Sequence, residues 1–285
     1  MLKKLLKYEL YSTARVFLPF YLALLVLSVV ARTTVWNYTP HPDSTWMDIL
    51  LGLSLGFYII AIVAVFLLTT VVSVVRYYRN LYGDEGYLMQ TLPVTADQLL
   101  WSKLLISSLW SVLSMGMILL SLGILVWQKE TWLIAFQEIA AAWNREIAPL
   151  WTGSMTLAVV EFCALCLFST IVSTLSYYTA ITLGQLMGKH RILGAVVSYI
   201  GITIVIELFV TFVTTVLMPV VAGPVAERFL VVIDESGQVA QEATISNAMA
   251  VVHGFLWFLA AMVLIQGVAQ YLLTRWVMVH KTNLA

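Results

Sequence analysis

Six continuously apolar runs set the pattern of this sequence, near Phe17 to Ala31, Ile49 to Val75, Leu99 to Trp127, Leu150 to Leu183, Ile192 to Val221 and Ala248 to Leu273. A hydrocarbon core about 30 Å thick is crossed by roughly 20 helical residues, so each run reads as a membrane span. The runs do not alternate apolar and polar positions over about ten residues, as the strands of a membrane barrel do. Helices satisfy their own backbone in lipid, so the pattern predicts an all-α polytopic membrane protein with six transmembrane helices. The first run follows Lys3, Lys4 and Lys7 but is long for a secretory signal, and an uncleaved anchor is expected.

The polar stretches have patterns of their own. Residues 1–15 place Leu2, Leu5, Leu6 and Leu10 near one helical face with lysines beside them, which predicts an amino-terminal interfacial helix; the plainer alternative is a solvated basic tail. In the insertion at 128–149, Trp132, Phe136, Ile139 and Trp143 recur at spacings of three and four, predicting an amphipathic helix too polar to span. The insertion at 222–247 holds a β-prone run, Phe229 to Ile233, before the turn residues Asp234 to Gly237, which suggests a small hairpin. No internal repeat or long linker stands out, so residues 1–285 read as a single transmembrane domain.

Composition agrees with this picture: 61% of the 285 residues are hydrophobic, 11% are charged and the mean hydropathy is +0.93. The net charge of zero conceals an asymmetry. Eleven of the fifteen Lys and Arg residues fall in the amino-terminal segment, the second-to-third and fourth-to-fifth connections and the tail. Both termini are therefore expected in the cytoplasm and both insertions outside. No basic patch exceeds what topology explains, so no nucleic-acid partner is indicated.

Several motifs carry less chemistry than they suggest. Cys163 and Cys166 form a C-x-x-C inside an apolar run, with no second pair or nearby histidine in sequence to complete a zinc site. The segment GQLMGKH, Gly184 to His190, lacks the spacing and the hydroxyl residue of a phosphate-binding loop and reads as a helix end. The pair Gly52 and Gly56 suggests close helix packing. Two acids stand out. Glu161 and Glu207 lie within the fourth and fifth runs, where a carboxylate costs on the order of 3 kcal/mol. Each either lines a translocation path and meets a cationic or polar substrate group, or is a protonated carboxyl bonded between helices.

The segment RYYRNLYGDEGYLMQTLPVTADQLLWSK, Arg76 to Lys103, is the most distinctive of the chain. It resembles the second-to-third-helix connection of type-2 ABC transporter permeases, many small bacterial members of which carry a phrase close to aromatic-x-(D/E)-E-G-Y-L-x-x-T-L-P-V. Asp84, Glu85, Gly86, Tyr87, Leu88, Thr91, Leu92, Pro93 and Val94 fit it, and Tyr82 stands where Phe is frequent. The resemblance covers about a tenth of the chain. It implies the membrane subunit of an exporter in a bacterial plasma membrane that dimerises, with a second copy or a close relative, and docks two ABC ATPase subunits, which bind the ATP and Mg. It further implies that residues 76–98 form a cytoplasmic coupling segment, with Tyr82, Gly83, Asp84, Glu85, Gly86, Tyr87 and Leu88 as the ATPase contact. The composition suits that role. Gly83 and Gly86 allow tight turns, the acids can meet basic residues, and Tyr87 with Leu88 offers an apolar anchor.

The expected function is thus ATP-driven export of an amphipathic peptide or hydrophobic compound, with no nucleotide site or catalytic residue in this chain. Two other classes remain open: an ion-coupled carrier using Glu161 or Glu207, which lacks the expected inverted repeat with broken helices, and a non-transporting membrane anchor or sensor partner.

Overall fold

The computed structural model describes residues 2–38, 45–83, 95–127, 129–148, 151–217 and 241–280. Among these the chain is helical almost throughout, with no strand. The helices are α1 (Leu2–Trp36), α2 (Thr45–Tyr82), α3 (Ala96–Val126), α4 (Lys129–Ala142), α5 (Gly153–Gly184), α6 (Arg191–Phe212) and α7 (Gln241–His280). Six of them are long and apolar enough to cross a membrane, and the six predicted runs fall on these six. The protein is an all-α, multi-pass membrane protein.

The helices outrun the apolar runs. With 35, 38 and 40 residues, α1, α2 and α7 measure about 50–60 Å at 1.5 Å per residue, well over the hydrocarbon thickness. Their ends must project beyond it, or the helices tilt. Residues 2–15 are helical as expected, but they continue without a break into the first span. Residues 76–82 of the predicted coupling segment are the last turns of α2. Residues 241–247 of the second insertion already belong to α7; the predicted hairpin lies outside the described residues.

The chain divides into two compact units, residues 1–136 and 137–283. In the first, α1 packs against both α2 and α3. The pairs Thr34–Ser54 and Glu9–Arg76 make α1 and α2 antiparallel, while Glu9–Lys103 and Tyr21–Ser114 make α1 and α3 parallel. The core holds Phe17, Tyr21, Leu24, Tyr58, Val65 and Trp110, with Phe17 stacked on Trp110 at 4.6 Å. Hydroxyls join the helices. Ser114 on α3 meets Tyr21 and Thr69, each at 2.7 Å, and Ser121, one heptad on, meets Tyr58 at 3.0 Å.

This inverts the arrangement of a soluble core. Leu22 and Ile60 are 67% and 63% exposed, while Ser28, Ser121, Thr179 and Thr274 are wholly buried. Lipid tails are as apolar as leucine, so helices associate through close packing and hydrogen bonds of roughly 0.6 kcal/mol each. The expected close packing at Gly52 and Gly56 is not found among the described residues: none of them approaches within 4 Å of either added Cβ. The buried residues of α2 include Ser54, Tyr58 and Val65, on other faces of the helix.

The second unit has the same plan, with α5 packed against both α6 and α7. Ser176–Gln270 at 2.8 Å and Thr179–Thr274 at 2.9 Å run in step, so α5 and α7 are parallel. The return from α5 to α6 is a tight 3-10 turn over Gln185–His190, in which Gly188 has φ +54°. A Cβ at Gly184 would lie 2.4 Å from the Ala195 nitrogen, so a side chain there would force the hairpin open. GQLMGKH is thus a helix-to-helix turn, as predicted. α4 forms where the amphipathic pattern placed it, and a wide π-type turn at Trp143–Ile147 follows it.

Candidate functional site

Glu161, singled out by its cost in lipid, is the centre of a polar cluster between α5 and α7. His253 Nδ1 lies 2.6 Å from Glu161 Oε2, and Trp257 donates its indole N–H to Oε1 at 3.2 Å. On the other side of the ring, His253 Nε2 is 2.9 Å from the hydroxyl of Ser154. A neutral imidazole satisfies every group: Ser154 donates to Nε2 and Nδ1–H donates to the carboxylate. That tautomer is assigned from the network. Both ionisable side chains are largely buried, Glu161 at 18% and His253 at 19% exposure.

Helix geometry explains the gathering. In parallel helices in register, Ser154 and Glu161, seven residues apart, share one face of α5, while His253 and Trp257, four apart, share one face of α7. The imidazole fits between the two α5 groups. Carboxylate, imidazole and hydroxyl are connected as in nucleophilic hydrolases, but the adjoining cavity is at the wrong end for such chemistry. A pocket of about 290 Å³ is lined by Glu161, Ala164, Leu165, Phe168, Leu256, Trp257, Ala260 and Leu264. It abuts the carboxylate and the indole, and Ser154 is not in its wall. The arrangement therefore suits holding a group that faces Glu161 better than attacking one at Ser154.

Glu207 is placed differently. It is exposed on α6 and makes no hydrogen bond or ion pair among the described residues. The structure does not bring it into the wall of the Glu161 pocket.

The other candidate region is the end of the first unit where α2 stops and α3 starts. Tyr82 is buried and packs edge-on against Tyr77, ring centroids 6.0 Å apart. Gly83 caps α2, its N–H donating to the carbonyls of Tyr78 and Arg79. Thr95 caps the start of α3 by accepting the Gln98 N–H. Asp84, Glu85, Gly86, Tyr87 and Leu88 lie outside the described residues.

One or two turns back from this gap is a charge cluster that the sequence reading had treated only as topology. Glu9 on α1 pairs with Lys103 of α3 at 2.8 Å and with Arg76 of α2 at 3.3 Å. Arg76 also donates to Ser12, and Trp110 to Thr13. Lys103 is only 4% exposed and Glu9 13%. The acid thus ties α1 to both α2 and α3, the two helices on either side of the 84–94 segment in the chain.

Among the described residues no three potential metal ligands come together, and Cys163 and Cys166 are exposed free thiols on α5. Ser154, His253, Trp257 and Glu9 were not selected from sequence. The spacing of His253 and Trp257 on one face of a predicted span was a usable signal for two of them. No protein-family model, curated protein or solved structure matches the chain.

Proposed function

We propose that this protein is the membrane subunit of an ATP-driven exporter of the type-2 ABC permease kind, acting as a dimer on a cytoplasmic ATPase that supplies nucleotide binding and hydrolysis. The observation that carries the reading is the phrase from Arg76 to Lys103, now with its two flanks known. Tyr82 and Gly83 end α2 and Thr95 opens α3, so the segment between them is a short connection between two long helices. Glu9, Arg76 and Lys103 fasten those helices to α1 close to the connection. A push on residues 84–94 would therefore reach three helices together, as conversion of ATPase closure into an inward-to-outward switch requires.

The substrate is an amphipathic, cationic peptide or a hydrophobic compound. Glu161 supports this as a single carboxylate in the wall of an otherwise apolar pocket. Both termini are cytoplasmic in this reading and the membrane is the bacterial plasma membrane. The Glu161–His253 pair gives the ion-coupled carrier its best foothold, so energy source is the point to test. In inverted membrane vesicles containing this chain and its ATPase, uptake of a labelled cationic amphipathic peptide should require ATP and persist when the proton gradient is collapsed. Uptake that follows the proton gradient and ignores ATP would establish the carrier instead.

A further inference from the structure

We infer that the pocket beside Glu161 is a binding site for a small apolar molecule carrying one permanent positive charge, and that His253 competes with that charge for the carboxylate. The ligand class deepens the export reading of Glu161, but the site itself rests on the geometry of α5 and α7.

The pocket commits to such an occupant. Seven of its eight lining side chains are apolar, and the eighth is a carboxylate. Its volume of about 290 Å³ is at the lower end for small-molecule sites, enough for one short chain or ring system. Glu161 accepts one bond on each oxygen, from His253 and from Trp257; a carboxylate has about four lone-pair sites, so capacity remains on both atoms. Trp257 and Phe168 add aromatic surface to the same wall, and aromatic faces attract cations, most of all where water is excluded. An anion would meet Glu161 with like charge. A neutral molecule would leave the carboxylate without a compensating charge in an apolar setting.

His253 makes the site sensitive to protons. Glu161 is the only charged residue of α5. On α7 the other charged or titratable residues are Glu242, Tyr271, Arg275 and His280, which are about 16 Å or more from His253 along the helix. On α6 they are Arg191, Tyr199 and Glu207, and α6 contributes nothing to the pocket wall. The protonation of His253 therefore decides whether Glu161 already has a counter-charge. With a neutral ring the carboxylate is open to an incoming cation. With a protonated ring, 2.6 Å away, the charge is met and the cation is excluded. Loss of the ring proton should therefore strengthen cation binding, and by linkage cation binding should promote loss of that proton.

The test uses the full-length chain in nanodiscs of zwitterionic lipid, with radiolabelled octyltrimethylammonium, whose charge does not change with pH, and neutral octanol as the uncharged control. Empty nanodiscs supply the background. Octyltrimethylammonium should bind about tenfold more tightly at about pH 8.5 than at about pH 5.5, a typical size for coupling between two ligands, while octanol binds equally at both. Glu161→Gln should lower affinity for the cation at both pH values, and His253→Gln should keep binding but flatten its pH dependence. Melting temperatures identify any variant that does not fold, in which case Glu161→Ala and His253→Asn replace it. Equal behaviour of cation and octanol in the wild type, or pH dependence that survives in His253→Gln, would overturn the inference. No nucleotide or ATPase is present, so failure here leaves the export reading standing, and failure of ATP-dependent uptake leaves this site standing.

Discussion

Glu9→Gln is expected to lower the melting temperature of the purified protein by about 10 °C, more than substitution of any exposed acid. Glu9 is the negative charge between Lys103 and Arg76, and the acid and Lys103 are mostly buried. Removing one member of a buried pair costs about 3–5 kcal/mol, because the group that stays behind loses a charged partner it met out of water. At about 2–4 °C per kcal/mol for a chain of this size class, the shift follows. The double variant Glu9→Gln with Lys103→Met should recover part of the loss, since it removes a buried cation as well, and the cycle isolates the pair energy. Additive losses in the double variant would mean that the contact does not couple α1 to α3.

The second large effect is on partnership and not on stability. If the proposed ATPase contact is made at residues 82–88, reversing Asp84 and Glu85 to lysine should reduce recovery of the ATPase with this protein at least tenfold and abolish substrate-stimulated hydrolysis, with the protein's own melting temperature held within a degree or two. Two like charges placed against the basic surface that the proposed contact requires cost several kcal/mol, and removal of the matching charges slows association as well. Milder variants rank the contributions: Tyr87→Ala removes the apolar anchor and should weaken the complex, while Leu88→Met should change little. Full recovery with the double reversal would remove residues 84–88 from the contact.

How much of this was readable in the sequence differs by element. The six spans were, because a run of roughly 20 apolar residues has few outlets other than lipid. Helix ends were not. Arg76, Tyr77 and Tyr78 look like the start of a connection, yet nothing between Thr45 and Tyr82 breaks a helix, and a helix continues past the membrane until glycine or proline stops it. The amino-terminal stretch merged into α1 for the same reason.

Glu161 was found because burying a carboxylate in lipid is expensive wherever its partner is. His253 is 92 positions away, and the partnership depends on α5 and α7 being parallel and in register, which no local pattern encodes. Glu9, Arg76 and Lys103 show a further limit. Counting basic residues by side treats each as a surface charge, and two of these are instead held in a cluster with the acid between them. The glycines at 52 and 56 erred in the other direction. Their spacing fits a packing face, but within this chain α2 buries Ser54 and Tyr58.

The central claim is that an ATPase works on this chain, and affinity purification of the tagged wild-type protein from its own membranes tests it most directly, with ATP hydrolysis assayed on the eluate. The account predicts that a nucleotide-hydrolysing subunit co-elutes in equal number with the permease and that its hydrolysis rises when a cationic amphipathic peptide is added. A permease that elutes without an ATPase, in mild detergent and in nanodiscs alike, would contradict it.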